Sequence, residues 1–504
     1  MKKIFLLATS IFSWNAFSQN VTISGTFDQP DSKRKLSVSK PMNSTQFPEI
    51  NDLEEIAVNK GIFTTVLTVQ QPEIIYLTSY LNDSIEFNQP LFLKAGYSLT
   101  IDYKTKNGTP QLIITGKGAA DNQPWKGLSN TIDYDDYPKD TLPDKIVADL
   151  QKISDKNQEA LQHYIATNKP SADFIKTWNV EMQYYPVRNY YVYAKQRIWA
   201  VRAAYRRNRK EWDDVFDRML IDAPLMNEAA LTSWGYRVFV KMFLMFDKPF
   251  AVANEAEREE FVKKMYKDGR DTGERSFLSD QLNIPNQKIV EKYFTGKVKE
   301  YMYCQLFKTA LERGIVTNID SIYKDFSKQF PNSAYKKLYD DQVSAVVESK
   351  KHSVNNKIVF EPGNFETWKE VLNSFKGRTV LLDMWGTWCG PCRDEIKNNS
   401  AAVKTYFKDK GLDYLYIANN DEANRKTWES LITYFNMEGH HILANKNLTA
   451  DIVSSIQPGG GIFYYPTYVI IHKNGSFKAS KARMSADTER KVLVTELENA
   501  LKEQ

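Results

Sequence analysis

The chain has 504 residues, of which 42% are hydrophobic and 26% are charged, the composition of an ordinary globular protein. Its length allows about three domains, each able to bury a core of its own. The net charge of +5 falls to +3 if Lys2 and Lys3 leave with the N-terminal segment. So small a charge gives no general positive field and argues against a nucleic-acid partner.

Residues 1–18 have the pattern of a secretory signal peptide. Lys2 and Lys3 are followed by a short apolar core at residues 4–14 and by the small-x-small sequence Ala16-Phe17-Ser18. The apolar core is too short to remain as a membrane anchor, and no later run of about twenty apolar residues occurs. No cysteine follows for lipid attachment. We therefore expect a chain that does not span the membrane after cleavage and works in the periplasm of a Gram-negative cell.

Residues 19–118 are expected to form a β-sandwich-like domain. Short alternating or β-branched segments are separated by turn signals such as Asn59-Lys60-Gly61. Six or more strands at this spacing favour a sandwich. The six clearest segments are residues 21–24, 36–39, 63–68, 74–77, 99–103 and 112–114.

Residues 119–350 are expected to form an α-helical domain, because apolar residues now recur at helical spacing, as at Phe174, Trp178 and Met182. Within it, residues 188–210 combine eight Lys or Arg with interleaved aromatic residues and no acidic one. We interpret this stretch as a helix whose aromatic side chains face the core and whose Arg side chains reach solvent. A docking face for an acidic partner is the alternative.

The most informative segment is Trp-Gly-Thr-Trp-Cys-Gly-Pro-Cys at residues 385–392, directly after an apolar run. If a helix begins at Cys389, its sulfur lies over unpaired backbone N–H groups and the positive end of the helix dipole, and both favour the thiolate. Cys392, one turn further along, can attack a mixed disulfide formed at Cys389. Pro391 fits the first turn because it has no N–H group to satisfy.

Other uses of the two cysteines fit the sequence less well. A zinc site needs four ligands, but the only further cysteine is Cys304 and no suitably spaced pair of histidines occurs. Haem attachment needs a histidine where Arg393 stands. A two-residue loop is too tight for a structural disulfide. Cys304 lies in an apolar, helix-like stretch and is expected to be a buried, inert thiol.

The segment resembles the active site of the thioredoxin superfamily. Its sequence from Trp385 to Glu395 is most similar to that of the exported TlpA/ResA-like thiol-disulfide interchange branch. Asp383 matches the buried carboxylate that relays protons for the second cysteine in that superfamily. Tyr465-Pro466-Thr467 matches the loop whose cis-proline faces the reactive disulfide. The resemblance implies a C-terminal α/β thioredoxin-like domain over residues 355–504.

The residues themselves favour the same roles. A carboxyl group buried in an apolar strand has a raised pKa and can exchange protons, so Asp383 is a candidate proton carrier; a strand-end aspartate facing water is the alternative. Trp388, Pro391, Tyr465 and Pro466 are candidates for positioning a substrate strand, although Pro466 could also be an ordinary trans proline.

Two neighbouring residues carry further expectations. Lys397 stands where TlpA-like chains commonly have a proline, so the active-site helix is expected to be less kinked. Arg393 is expected to lie solvated on the helix surface. No cation would then stabilise the Cys389 thiolate strongly, and the pair should favour electron donation.

Together these features predict a periplasmic thiol-disulfide oxidoreductase that reduces protein disulfides. Cys389 and Cys392 form its redox-active disulfide, and Asp383 moves protons. Disulfide- or dithiol-bearing client proteins and a membrane electron donor are the expected partners, with no metal or organic cofactor. The alternatives are a cell-envelope binding protein with an accessory redox domain, or a thiol peroxidase. The peroxidase is disfavoured because Gly386 stands where its motif requires threonine.

Overall fold

The computed structural model describes residues 20–29, 31, 33–42, 52–82, 84–106, 109–125, 142–200, 207–246, 260, 262–264, 280, 283–351, 355–362, 364–419 and 421–503. The expected signal peptide at residues 1–18 lies outside these described residues. The chain divides into two compact units, Met1–Phe243 and Leu244–Gln504.

The first unit begins with a β-rich region that forms two sheets. One sheet has the strand order β4-β5-β1-β8-β9 and the other β3-β2-β6-β7. Among the residues that the structure describes, the nine strands of this region are β1 (Asn20–Phe27), β2 (Arg34–Ser39), β3 (Leu53–Ile56), β4 (Val58–Asn59), β5 (Ile62–Thr68), β6 (Glu73–Leu81), β7 (Ser84–Leu93), β8 (Ser98–Lys106) and β9 (Thr109–Lys117). Neighbouring strands are antiparallel except for β1 and β8, which run parallel. Each of the six expected segments lies within one of these strands.

The two sheets share a hydrophobic core. Side chains of β1 alternate between buried and more exposed positions, as a strand with one face in a core requires. Val21 and Ile23 of β1 belong to the same buried cluster as Leu36 and Leu77, which come from the other sheet.

The described residues of the first unit continue with four α-helices: α1 (Asp144–Asn168), α2 (Ala172–Ala200), α3 (Arg209–Asp222) and α4 (Trp234–Phe246), whose last turn passes the unit boundary. In the described part of the basic and aromatic stretch at residues 188–210, the tyrosines face the core as expected. Tyr190, Tyr191 and Tyr193 are all buried. Arg188 departs from the expectation that it reaches solvent. It is also buried, and its guanidinium lies 4.5 Å from the ring centroid of Trp234. The cation–π contact favours this buried position.

The second unit opens with a helical segment, followed by a mixed α/β region. Its sheet has the order β10-β13-β12-β11-β14-β15. Within its described residues the helical segment has α5 (Asn283–Tyr293), α6 (Gly296–Glu312), α7 (Ile319–Gln329) and α8 (Lys336–Ser349). The strands are β10 (Ile358–Phe360), β11 (Thr379–Trp385), β12 (Leu412–Ala418), β13 (Gly439–Leu443), β14 (Thr467–Ile471) and β15 (Phe477–Ser480). The remaining helices are α9 (Trp368–Ser374), α10 (Gly390–Asn398), α11 (Ser400–Tyr406), α12 (Arg425–Tyr434), α13 (Lys446–Ile456) and α14 (Asp487–Lys502).

Strand β11 lies inside this sheet and is covered on both faces. It pairs in parallel with β12 and antiparallel with β14. Strand β13 pairs in parallel with β12 on one side and with β10 on the other. Val380, Leu382 and Met384 pack in one core cluster, whereas Leu381 packs in a second. All seven residues of β11 are buried, which explains its unbroken apolar character. The chain leaves the carboxyl end of β11 and enters α10 after a loop of four residues, and this edge of the sheet is where a site is expected.

The helix that follows the two cysteines is interrupted, contrary to the expectation drawn from Lys397. Helix α10 ends at Asn398 and α11 begins at Ser400, while Asn399 has φ −127° and ψ −26°. The Ser400 hydroxyl donates a 2.5 Å hydrogen bond to the carbonyl of Ile396, which satisfies an acceptor at the end of the helix. A proline is therefore not needed to break this helix.

Candidate active site

Cys389 and Cys392 are joined by a disulfide bond at the start of α10, with their Cα atoms 5.3 Å apart. Cys389 is the N-cap residue, and its Sγ accepts a 3.2 Å hydrogen bond from the backbone N–H of Cys392. Pro391 occupies the exposed first turn. Both cysteines are buried, Cys389 with 4% and Cys392 with 1% of the residue surface exposed. The dipole and the free N–H groups of the helix therefore act on Cys389.

The loop between β11 and α10 is fixed by a buried carboxylate that the sequence did not identify. The backbone N–H and the hydroxyl of Thr387 donate hydrogen bonds of 2.7 and 2.5 Å to Asp421, and both residues are fully buried. At Gly386, a Cβ atom would lie 2.4 Å from Nε1 of Trp388. Glycine is therefore required here for the Trp388 ring to lie across the loop.

Asp383 lies on β11 and is buried beneath the cysteine pair's helix. Burial, with a smaller contribution from the negative charge of Glu395, raises the pKa of Asp383 to about 8. Its Oδ1 has no hydrogen-bond partner among the described residues. The environment agrees with the expectation of a raised pKa, and the carboxyl group can gain or lose a proton near neutral pH.

Glu395 is a third buried carboxyl group near the cysteine pair, and its environment was not foreseen. Its carboxylate accepts hydrogen bonds from the hydroxyl groups of Tyr468 and Ser485, the latter at 3.0 Å, and from the N–H of Met484 at 3.3 Å. The signal in the sequence was its position three residues after Cys392, because residues three apart share a helix face. Tyr468 lies on β14, so the bond ties α10 to the strand that pairs with β11.

Asp383 borders a small internal cavity of about 10 Å³, roughly the space that one water molecule needs. Other polar residues of its lining include Lys404, Tyr416 and Tyr468. Burial lowers the pKa of Lys404 to about 8 and raises the pKa of both tyrosines well above the usual value. The Asp383 carboxyl group and the Lys404 amine therefore line the same cavity, and the pKa of each is about 8.

Trp388, which directly precedes Cys389, is in contact with Tyr465, the residue before Pro466. The Tyr465–Pro466 peptide bond is cis. The rings of Trp388 and Tyr465 meet edge to face with centroids 5.1 Å apart, and Nε1 of Trp388 donates a 2.8 Å hydrogen bond to the carbonyl of Asn419. The structure therefore brings Tyr465 into contact with Trp388 just before the N-terminal end of α10, as the sequence led us to expect.

Arg393 differs from the expectation that it is solvated, because it is 0% exposed. Burial lowers its pKa to about 10, and the charge of Arg313 acts in the same direction, while Asp421 and Asp280 act against it. The reason for the difference is that this face of α10 turns toward protein, including residues that precede the α/β region. Its charge is therefore compensated inside the protein and not by solvent.

Cys304 lies apart from this constellation. It is buried in α6, and burial raises the pKa of its thiol well above the usual value. A buried thiol held in the protonated form is a poor nucleophile. Within the described residues, no group of three or more His, Cys, Asp or Glu is placed to hold a metal ion.

Comparison with known proteins places the site in a family. Residues 370–500 match the Redoxin family. Thioredoxin-like protein YneN of Bacillus subtilis (strain 168) is 27% identical over 107 residues, which are 21% of this chain and 58% of YneN. Thiol-disulfide oxidoreductase ResA of Bacillus thuringiensis subsp. konkukian (strain 97-27) is 38% identical over 52 residues, which are 10% of this chain and 30% of ResA. The matches therefore span less than two thirds of either relative.

Among solved structures, a thiol:disulfide interchange protein of the thioredoxin family from Chlorobium tepidum TLS is 24% identical. The structural alignment covers 26% of this chain and 83% of the Chlorobium chain, with a TM-score of 0.21. Because the Redoxin match includes β11 and both cysteines, the C-terminal part of this chain is a TlpA/ResA-like domain of the thioredoxin superfamily.

Proposed function

We propose that this chain is an exported thiol-disulfide oxidoreductase that reduces protein disulfides in the periplasm through Cys389 and Cys392. The observation that carries the proposal is the bonded cysteine pair at the N-terminal end of α10. Two cysteines in this position store two electrons, so the pair needs no metal or organic cofactor. The names of the relatives YneN and ResA support the same class of activity.

The reduced protein begins the reaction. The Cys389 thiolate attacks one sulfur of a client disulfide, so that a mixed disulfide forms and the other client sulfur leaves as a thiolate and takes up a proton. Cys392 then loses its proton and attacks Sγ of Cys389. The mixed disulfide breaks, the Cys389–Cys392 bond forms, and the second client sulfur leaves. Two electrons have passed from the protein dithiol to the client.

Asp383 supports the second step by accepting the proton of Cys392. Its pKa of about 8 lies close to neutral pH, so both protonation states are populated during turnover. Trp388, Pro391, Tyr465 and Pro466 form the surface along which the client strand lies beside Cys389.

The partners and the compartment follow from the same proposal. Disulfide-bearing client proteins are the substrates, and a membrane electron donor restores the dithiol. The β-rich region and the helical part hold the client or restrict access to the site. Export rests on the signal-like segment at residues 1–18. Among the residues that the structure describes, no helix combines the length and apolar character needed to cross a bilayer.

The test is insulin-disulfide reduction by the chain without residues 1–18. We expect Cys389→Ser and Cys392→Ser to lose turnover, whereas Cys304→Ser, the matched control, keeps it. A chain that consumes hydrogen peroxide but leaves insulin intact would be a peroxidase. A chain with no redox activity whose Met1–Phe243 unit retains a ligand would be a binding protein.

A further inference from the structure

Two residues just after β12 hold the loop that leads to the disulfide. Asn419 donates its backbone N–H and its side-chain amide to the carbonyl of Trp385, both at 3.0 Å. The carbonyl of Asn419 accepts the indole N–H of Trp388 at 2.8 Å. Asp421 accepts the backbone N–H and the hydroxyl of Thr387 at 2.7 and 2.5 Å. The backbone just before the cysteine pair is therefore fixed from the neighbouring strand.

Asp421 differs from Asn419 because it also brings a negative charge into a buried place close to the pair. Asp421 and Thr387 are both 0% exposed, so solvent ions screen this charge little. Its carboxylate lies 2.7 Å from the nitrogen of Thr387, which stands two residues before Cys389. Because consecutive Cα atoms lie about 3.8 Å apart, the carboxylate lies no more than about 12 Å from the Cα of Cys389.

The same charge acts on the residue that follows the pair. Arg393 comes directly after Cys392 and is fully buried. Burial and the charge of Arg313 lower the pKa of Arg393, and the negative charge of Asp421 opposes this lowering. A buried guanidinium beside a thiol favours the thiolate, whereas a carboxylate disfavours it. The two charges therefore act on the cysteine pair in opposite directions.

We propose that Asp421 is a positioning residue whose charge keeps the Cys389–Cys392 dithiol a good electron donor. A fixed negative charge near the pair disfavours the thiolate of the reduced protein and leaves the disulfide comparatively stable. The hydrogen bonds to Thr387 hold that charge at a constant distance from the sulfurs. This inference rests on the proposed function and adds a residue that acts on the reactive sulfurs through its field and through the loop.

The test compares the chain without residues 1–18 with its Asp421→Asn variant, which keeps an acceptor for the Thr387 N–H but has no charge. Thiolate absorbance of the reduced chain measures the acid dissociation constant of the first cysteine to ionise. Equilibration with glutathione at about pH 9, above the ordinary pKa of a thiol, measures the redox equilibrium. In that exchange two glutathione thiols reduce the protein disulfide to two thiols and are oxidised to one glutathione disulfide.

We expect both constants to change about tenfold in Asp421→Asn, toward the thiolate and toward the reduced protein. Two unit charges about 12 Å apart, at an effective dielectric constant of about 20, change an equilibrium by that factor. A tenfold change in the redox equilibrium is a rise of about 30 mV in potential. Asp421→Ser, a smaller variant without charge, should shift both constants in the same direction, so the test does not depend on one substitution.

Two controls separate the charge from the structure. Thr387→Val removes the hydroxyl donor but keeps the charge of Asp421, so it should lower stability and change both constants by less than about twofold. Asp413→Asn removes an equal charge from the other end of β12, where the side chain is 39% exposed and lies 3.4 Å from Arg378. Because solvent screens that charge, this variant should also change both constants by less than about twofold.

The outcomes distinguish this inference from the proposed function. Changes below about twofold in both charge-free variants of Asp421, or changes in the opposite direction, would overturn the charge effect while the chain remains an oxidoreductase. Shifts of equal size in Thr387→Val would assign the effect to the position of the loop and overturn it too. Equal shifts in Asp413→Asn would show that no local charge is involved. A wild-type chain that exchanges no disulfide with glutathione would overturn both proposals.

Discussion

Asp383 on β11 and Glu395 on α10 are two buried carboxyl groups, and the negative charge of Glu395 adds to burial in raising the pKa of Asp383 to about 8. The folded protein therefore holds the Asp383 proton more tightly than the unfolded chain, whose aspartate titrates near its ordinary value of 3.8. This tighter proton binding stabilises the folded protein, and the stabilisation is fully present below pH 3.8. It decreases as the pH rises and is lost once the pH passes about 8.

Asp383→Asn should stabilise the oxidised protein in a pH-dependent way, because the amide has no charge to bury. We expect wild type and variant to unfold with similar free energy near pH 4, and the variant to be more stable by on the order of 5 kcal/mol at pH 8, because the pKa shift spans roughly four units. Urea unfolding at both pH values measures the difference. A difference that stays constant with pH would show that Asp383 does not titrate in this way.

The same substitution should slow catalysis. Without the carboxylate, the proton of Cys392 has no buried acceptor on β11, so resolution of the mixed disulfide becomes slower by about tenfold or more. We expect the insulin-reduction rate of the wild type to rise with pH up to about 8, where Asp383 loses its proton, and the variant to lack this rise. Identical pH profiles of wild type and variant would mean that Asp383 does not transfer protons during turnover.

Much of this site could be predicted from the sequence, because its key residues are local. The spacing of Cys389 and Cys392 after an apolar strand places one at the helix start and the other one turn inside. Asp383 follows from its position in that strand. Arg393 was misjudged because its exposure depends on what covers that face of α10, which no local pattern records. The Asp421 contact to Thr387 joins residues 34 positions apart and was invisible for the same reason.

The buried position of Arg393 bears on the redox potential. A guanidinium in a buried site next to Cys392 could favour a thiolate, but Asp421 and Asp280 oppose its charge. We therefore still expect a reducing protein, with a potential closer to about −270 mV than to about −120 mV. Equilibration with glutathione measures this value. A potential near the oxidising limit would mean that the protein installs disulfides.

The α/β region should depend partly on the helical segment before it. Lys397 of α10 donates a hydrogen bond to the carbonyl of Leu311, and the hydroxyls of Ser349 and Ser430 lie 3.2 Å apart. We expect a fragment of residues 355–504 to fold and reduce a small disulfide, since it has two core clusters of its own.

That fragment should melt at least about 4 °C below one of residues 244–504, which keeps these partners. Thermal unfolding of both fragments checks the difference. Equal melting temperatures would mean that the contacts add no stability. An insoluble shorter fragment would mean that the helical segment completes the redox fold.

The central claim is that Cys389 exchanges disulfides with client proteins and Cys392 resolves the product. The most direct measurement is a trap in cells: the full chain carrying Cys392→Ser, examined by non-reducing electrophoresis and mass spectrometry. We predict covalent adducts that thiol reductants release and that join a client cysteine to Cys389. The double variant Cys389→Ser/Cys392→Ser should form none, although it keeps Cys304. Adducts that persist in the double variant, or none in the single one, would contradict the account.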